Sequence, residues 1–250
     1  MPPWTDVFIV TAFVLVALAP MTASFLQCWA DRSRVDVTEG LPQGRSACDA
    51  CGKALGVRDL FPVLSWLANR GKARCCGASL HPKFLYGEVL ILASSIWAVL
   101  VVPWLLAVPT LLLVSGLQAI VLLTGPRPNV AKGFTAVLTV LGLFVVWLFF
   151  TDQLLIHAGA TLLGIALWFT ARVQRAIAPD ALFLLPVAGA FLGFSGLAIT
   201  CFIAIPSALA YQAIKPLLYP ADLRRQVMPA EAVVFGLAAA LWIVWLNFTF

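Results

Sequence analysis

Apolar runs about as long as a membrane-crossing helix recur along almost the whole of this sequence. The hydrocarbon core of a bilayer is about 30 Å thick, and an α-helix crosses it with about 20 mostly apolar residues. The chain is 62% apolar and only 11% charged, a balance typical of an integral membrane protein. Helices are the expected spanning elements, since each backbone group then finds its partner within its own segment, and no alternating β-barrel pattern is visible. The expected spans cover residues 7–26, 86–103, 105–124, 133–150, 153–171, 181–196, 197–214 and 231–249.

Lysine and arginine residues fall in every second loop between these spans. Nine of the sixteen lie between the first and second spans, and the other seven follow the third, fifth and seventh. The positive-inside rule therefore predicts that the charged loops are cytoplasmic and that both termini face the other side. This topology accounts for the net charge of +5, so no nucleic-acid partner is expected.

The predicted fold is an all-α, polytopic membrane bundle of about eight transmembrane helices. Residues 1–26 form its first transmembrane helix, residues 27–85 a small cysteine-rich cytoplasmic domain, and residues 86–250 a seven-helix membrane domain. A cleaved signal peptide is the alternative interpretation of the first span, because its Ala19–Ser24 stretch is rich in small residues. A signal peptide begins with basic residues, and residues 1–6 contain none, so a retained helix is expected.

The predicted cytoplasmic domain contains two cysteine-glycine steps. Cys48 and Cys51, followed by glycine, have the spacing of a zinc knuckle, and Cys76 precedes a second glycine after a gap suited to a four-ligand site. A reducing cytoplasm disfavours disulfides. The alternative is a set of free thiols in a loop. The two other cysteines, Cys28 and Cys201, fall at or in apolar helices and are expected to be inert packing residues.

The second step is irregular, because Ala73 stands where a second Cys-x-x-Cys pair would begin. The neighbouring pair Cys75 and Cys76 is an unusual ligand set, since adjacent cysteines rarely bind one tetrahedral ion without strain. The predicted zinc ligands are therefore Cys48, Cys51 and Cys76. Cys75 is the next candidate and His81 a more distant one.

Five segments follow one another along about sixty residues that include the cysteine steps: Ala23–Gln27, Arg45–Gly52, Pro62–Leu67, Arg70–Gly77 and Tyr86–Glu88. Together they resemble the cytoplasmic domain of bacterial prepilin leader peptidases. That family cuts the leader from type IV pilin and type II secretion pseudopilin precursors at the inner membrane, and its bifunctional members then methylate the new N-terminus with S-adenosylmethionine. The resemblance implies an inner-membrane enzyme whose partners are such precursors and membrane lipid.

The resemblance also implies two catalytic aspartates at cytoplasmic helix ends, which share a proton as in other aspartic proteases. Asp180 matches the second of these positions, and a helix N-cap is its alternative role. The position of the first is occupied by Val121, and residues 104–151 contain no acidic residue. Glu88 and Glu231 are the other acidic residues at cytoplasmic membrane edges that could approach Asp180.

Three functional hypotheses follow from these observations. The first is an enzyme that cleaves pilin-like precursors, methylates them, or does both. The second is a degenerate pseudopeptidase that binds such precursors or an assembly platform without cleaving. The third is an unrelated zinc-binding membrane scaffold or transporter, against which the sparse polar groups of the later spans argue.

Overall fold

The computed structural model describes residues 4–35, 47–48, 50–59, 63–80, 83–173, 179–218 and 229–248. The chain divides into two compact units, Met1–Leu100 and Val101–Phe250. The first unit contains α1 (Trp4–Val35), the short α2 (Leu64–Ala68) and α3 (Lys83–Val101). The second contains α4 (Trp104–Leu123), α5 (Pro128–Phe149), α6 (Leu154–Val173), α7 (Leu185–Leu218) and α8 (Pro229–Phe248).

Five helical segments among the described residues are long and apolar enough to cross a membrane, and two shorter apolar helices accompany them. Large apolar side chains on these helices remain exposed, as at Phe13, Leu155 and Phe202. In lipid such side chains need no cover, because acyl chains are as apolar as leucine. The predicted polytopic helical membrane fold is confirmed. The five segments are Ala12–Ala30, Leu105–Leu123, Pro128–Phe149, Thr151–Val173 and Leu182–Ala204, and the shorter two are Leu85–Val101 and Val233–Trp245.

Helix α7 joins two of the predicted spans, residues 181–196 and 197–214. The two helical stretches meet at Gly193, whose φ of 65° and ψ of −163° are not helical. Glycine adopts a positive φ at little steric cost because it has no Cβ. The sequence predicted the boundary between these spans at residues 196 and 197, and the break lies shortly before it.

Buried aromatic side chains join α4, α7 and α8 in the second unit. The Trp245 indole Nε1 donates a hydrogen bond of 3.0 Å to the Thr110 hydroxyl. The ring of Phe191 meets the same indole edge-on, with centroids 5.2 Å apart. All three side chains are almost fully buried. A buried indole needs an acceptor for its N–H, and Thr110 supplies one without placing a charge in the bundle.

Small residues bring the backbones of α6 and α7 together. A Cβ atom at Gly189 would lie 2.5 Å from the backbone carbonyl of Ala160, and one at Gly164 would lie 2.7 Å from that of Leu185. Close backbone approach through small residues is the common way for helices to pack in lipid, where no hydrophobic force pushes them together. The contact leaves no room for a side chain at either glycine.

We expect Gly189→Ala to destabilise the second unit by about 1–3 kcal/mol, because the added methyl group must push two backbones apart. The matched control is Gly133→Ala in α5, where nothing lies within 4 Å of the added atom. That variant should be neutral or stabilised by up to about 1 kcal/mol, since alanine favours a helix over glycine. Denaturant unfolding in detergent measures both, and equal stabilities would contradict the close α6–α7 contact.

Candidate metal centre

The first cysteine pair lies in a tight hairpin-like turn. The Cys48 N–H donates to the Lys53 carbonyl at 2.9 Å, and the Gly52 N–H donates back to the Cys48 carbonyl at 2.8 Å. Gly52 has a φ of 70°, which glycine tolerates better than other residues. An isolated antiparallel bridge between residues 47 and 54 closes the turn. We call this turn the first knuckle, residues 47–54.

The second cysteine pair lies in a turn with the same hydrogen bonds. The Ala73 N–H donates to the Ala78 carbonyl at 2.7 Å, and the Gly77 N–H donates to the Ala73 carbonyl at 2.7 Å. Gly77 has a φ of 71°, and a bridge between Lys72 and Ser79 closes the turn. This second knuckle, residues 72–79, therefore repeats the backbone of the first.

The two knuckles bring four cysteine sulfurs together. The Sγ atoms of Cys48, Cys51, Cys75 and Cys76 all lie within 4.8 Å of one another. The separations are 3.7 Å for Cys48 and Cys76, 3.4 Å for Cys51 and Cys75, and 3.9 Å for Cys75 and Cys76. A tetrahedral zinc ion with Zn–S bonds of about 2.3 Å places its sulfurs about 3.8 Å apart. The donor set therefore fits a metal ion of this kind.

The prediction ranked Cys75 behind the other three cysteines, whereas the structure includes it in the cluster on equal terms. His81 lies outside the described residues. Cys28 and Cys201 are partly exposed and belong to α1 and α7.

Hydrogen bonds shift the pKa values of two cluster thiols in opposite directions. Backbone N–H groups of Cys51 and Ala50 lower the pKa of the Cys48 thiol to about 7. Hydrogen bonds to the sulfurs of Cys51 and Cys48 raise the pKa of the Cys75 thiol to about 12. Metal binding would need all four sulfurs as thiolates and would release their protons.

An ion pair connects the second knuckle to the segment that follows the first. The Arg74 Nε atom lies 3.0 Å from Asp59 Oδ1, and Nη2 lies 3.2 Å from Oδ2, so the contact is two-pronged. The Asp59 carboxylate also accepts the Gly56 N–H at 3.0 Å. Arg74 directly precedes Cys75, so this partly exposed pair restricts the segment from which the Cys75 side chain projects.

Leu64, Ser65 and Trp66 belong to the Pro62–Leu67 segment that carries the resemblance. They lie in α2, which packs on the start of the second knuckle. A Cβ atom on Gly71 would lie 2.9 Å from the Trp66 ring, and Gly71 has a φ of 71°. The Gly71 N–H donates to the Trp66 carbonyl at 2.9 Å, and the Gly71 carbonyl accepts the Leu80 N–H at 2.7 Å. Helix α2 thus contacts Gly71 on one side of the second knuckle, and Gly71 is in turn hydrogen-bonded to Leu80 on the other side.

Glu88 of α3 holds the other end of α2. Its side chain is buried, and its carboxylate accepts the Val63 N–H at 2.7 Å and a hydrogen bond from Ser24 of α1. Val63 has a φ of 59°, which is strained for a β-branched residue. A charged acceptor at its N–H offsets part of that strain, so Glu88 connects α1, α2 and α3 within the first unit.

The structure places Asp180 in a 3-10 helix, Pro179–Leu184, that directly precedes α7. Val121 lies in the last turn of α4. Glu231 lies in the first turn of α8. The described side chains do not include those of Asp180 and Glu231, so their roles stay predictions.

Sequence reasoning missed His157, a buried residue of α6 in the second unit. Its Nδ1 atom lies 3.0 Å from the Ala190 carbonyl oxygen. Since a carbonyl only accepts, Nδ1 carries the proton in this contact. In an unbroken helix that carbonyl would receive the N–H of Phe194, the residue after the break at Gly193. A lone histidine in an apolar helix was the available signal, because an ionisable residue among membrane helices requires a partner.

Fold and cluster together define a polytopic helical membrane protein with a four-cysteine, metal-competent centre between its first two long helices. Residues 17–102 match the family described as Bacterial Peptidase A24 N-terminal domain. Through these residues the chain is similar to that domain.

Curated relatives show the same similarity. The chain is 30% identical over 105 residues to a protein of Dickeya chrysanthemi named Prepilin leader peptidase/N-methyltransferase, with 36% of each chain covered. It is 37% identical over 67 residues to the Type 4 prepilin-like proteins leader peptide-processing enzyme of Escherichia coli O78:H11, covering 26% of this chain and 25% of that protein. It is 34% identical over 58 residues to a Myxococcus xanthus prepilin leader peptidase/N-methyltransferase, covering 23% and 17%.

The chain therefore spans little more than a third, or less, of the length of these relatives. No solved structure matches the chain.

We expect Glu88→Ala to destabilise the first unit by about 1–3 kcal/mol, because it leaves the Val63 N–H without its acceptor. Glu88→Gln keeps an oxygen acceptor but loses the charge, so its effect should be smaller. Hydrogen exchange of the Val63 amide measures the contact directly. Asp152→Ala, in an exposed turn of the second unit, is the control, and unchanged Val63 protection in Glu88→Ala would contradict this role.

Proposed function

We propose that this protein processes type IV pilin-like or type II secretion pseudopilin precursors at the bacterial inner membrane, by leader cleavage, N-methylation or both. The observation that carries the proposal is the four-cysteine centre, which lies inside the segment that matches the family's N-terminal domain. The names of the relatives, prepilin leader peptidase and N-methyltransferase, support the substrate class.

Zinc is the metal that the donor set favours. Four thiolates in a tetrahedral arrangement are typical of structural zinc sites, whereas catalytic sites keep one position for water or substrate. All four ligands here come from the protein, so the ion would hold the two knuckles together and take no part in bond cleavage. Cys48, Cys51, Cys75 and Cys76 would bind it as thiolates.

Residues 27–85 form the cytoplasmic domain in this proposal, as the alternation of positive loops predicts. The apolar helix of a precursor would enter between membrane spans, while its leader meets the cytoplasmic side. S-adenosylmethionine is the methyl donor if methyl transfer is retained. Membrane lipid is the surrounding partner.

Leader cleavage would depend on Asp180 as one carboxylate of an acid–base pair. Such chemistry needs one ionised and one protonated carboxyl group close together. Val121 occupies the position of the first catalytic aspartate that the resemblance implies. This favours a second candidate function, a non-cleaving member that binds precursors or transfers only methyl groups. The absence of any acidic residue from 104 to 151 is the observation behind that alternative.

Purified protein should contain about one zinc ion per chain. Cys48→Ser removes one of four ligands and should lower bound zinc while exposing the 47–80 segment to protease, since a structural ion contributes folding free energy. Metal analysis and limited proteolysis measure these effects. Cys201→Ser is the control and should change neither. A wild-type protein that is folded and protease-resistant but free of metal would refute the zinc centre.

Cleavage and methylation should be assayed in membranes with pilin precursors of the same organism, in a strain that lacks other peptidases of this family. If the protein cleaves, Asp180→Asn should lower the rate by about 10²–10⁴-fold, the usual contribution of a general acid or base. Asp152→Asn is the matched control and should cleave normally.

Methylation without cleavage would identify a methyltransferase, and neither activity would favour the non-cleaving binder. Undiminished cleavage by Asp180→Asn would exclude that residue from the mechanism.

A further inference from the structure

The two knuckles are the same backbone structure with different cysteine positions. Their hydrogen bonds and bridges match Cys48 with Ala73, Cys51 with Cys76, and Gly52 with Gly77. In the same register Ala50 corresponds to Cys75. The first position of the turn is thus cysteine in one knuckle and alanine in the other, and the third position shows the reverse.

The side chain at the first position points into the structure in both knuckles. Cys48 and Ala73 each have a relative exposure of only 7%, although the surrounding segment is largely exposed. In the first knuckle this position delivers the buried sulfur of the cluster. Because the backbone is repeated, a cysteine at position 73 would place its sulfur in the cluster in the same way. Residue 73 is alanine, whose methyl group provides no sulfur.

The missing sulfur comes from two residues further along. Cys75 Sγ lies 3.4 Å from Cys51 and 3.9 Å from Cys76, so it reaches the cluster although its position in the turn is different. The ion pair between Arg74 and Asp59 holds the residue before it, which restricts the direction of the Cys75 side chain.

We infer that the second knuckle has exchanged its first metal ligand, so that Cys75 binds the ion in place of residue 73. This inference rests on the proposed metal centre and states how the second knuckle supplies two of its four ligands. The resulting site is asymmetric: the first knuckle contributes its first and fourth positions, and the second contributes its third and fourth.

Two substitutions can reverse this exchange. Cys75→Ala removes the ligand, and Ala73→Cys/Cys75→Ala places it back at the position that Cys48 occupies in the first knuckle. Zinc affinity of the purified full-length protein is measured by competition with a chelator, and Co²⁺ substituted for zinc reports thiolate coordination through its visible absorption. Cys201→Ala is the control for removal of an unrelated thiol.

Cys75→Ala should bind zinc at least about 10-fold more weakly, because loss of a ligand costs no less than loss of an outer partner. The double variant should regain most of that affinity, together with the wild-type Co²⁺ spectrum. Cys201→Ala should match the wild type. Far-UV circular dichroism checks that the helices are intact in each variant.

The outcomes separate this inference from the metal centre itself. Zinc binding by the wild type with unchanged affinity in Cys75→Ala would overturn the ligand exchange and leave the centre with other ligands. A double variant that is folded but as weak as Cys75→Ala would also overturn it. A wild type that binds neither ion would refute the centre on which the inference depends.

Discussion

Four sulfurs meet in a segment that has almost no hydrophobic core among its described residues, and a metal ion bound there would compensate for this. Among residues 47–80 whose burial is described, only Cys48, Gly71 and Ala73 are buried. Two buried small side chains and a glycine cannot offset the entropy of ordering a loop of this length. A metal ion that binds four thiolates would contribute its binding free energy to folding. The contacts of Arg74 with Asp59 and of Glu88 with Val63 would add to that stabilisation.

The membrane helices follow from the sequence because their cause is local. Apolar length and the need to satisfy backbone groups without water fix helix type and approximate position, and the predicted spans lie within or close to the observed helices. The join between two spans at Gly193 was harder to place, because a glycine backbone conformation ends a helix there without any charged residue to mark it.

All four clustered cysteines were candidates from the sequence, and the lower rank of Cys75 has a physical reason. Spacing rules consider only whether two neighbouring cysteines of one short turn can bind the same ion. Cys75 therefore ranked behind Cys76. The position of Cys75 depends instead on the whole second knuckle and on the Arg74–Asp59 pair, which joins residues fifteen apart in sequence. The Glu88–Val63 contact and the burial of His157 against Ala190 are likewise long-range. No local pattern in the sequence contains them.

The distribution of charge constrains which chemistry the second unit can perform. From residue 104 to 151 the only side chains that ionise are Arg127 and Lys132, and cations cannot serve as a base for water. Cleavage by a carboxylate pair, as proposed, would therefore need a second carboxylate from elsewhere. Glu88 accepts hydrogen bonds from the Val63 N–H and Ser24, and its withdrawal would leave the strained Val63 without that partner. Of the two glutamates considered, Glu231 is thus the stronger candidate to act with Asp180. Without a second carboxylate, the proposed function would be limited to precursor binding or methyl transfer, because neither requires a carboxylate pair.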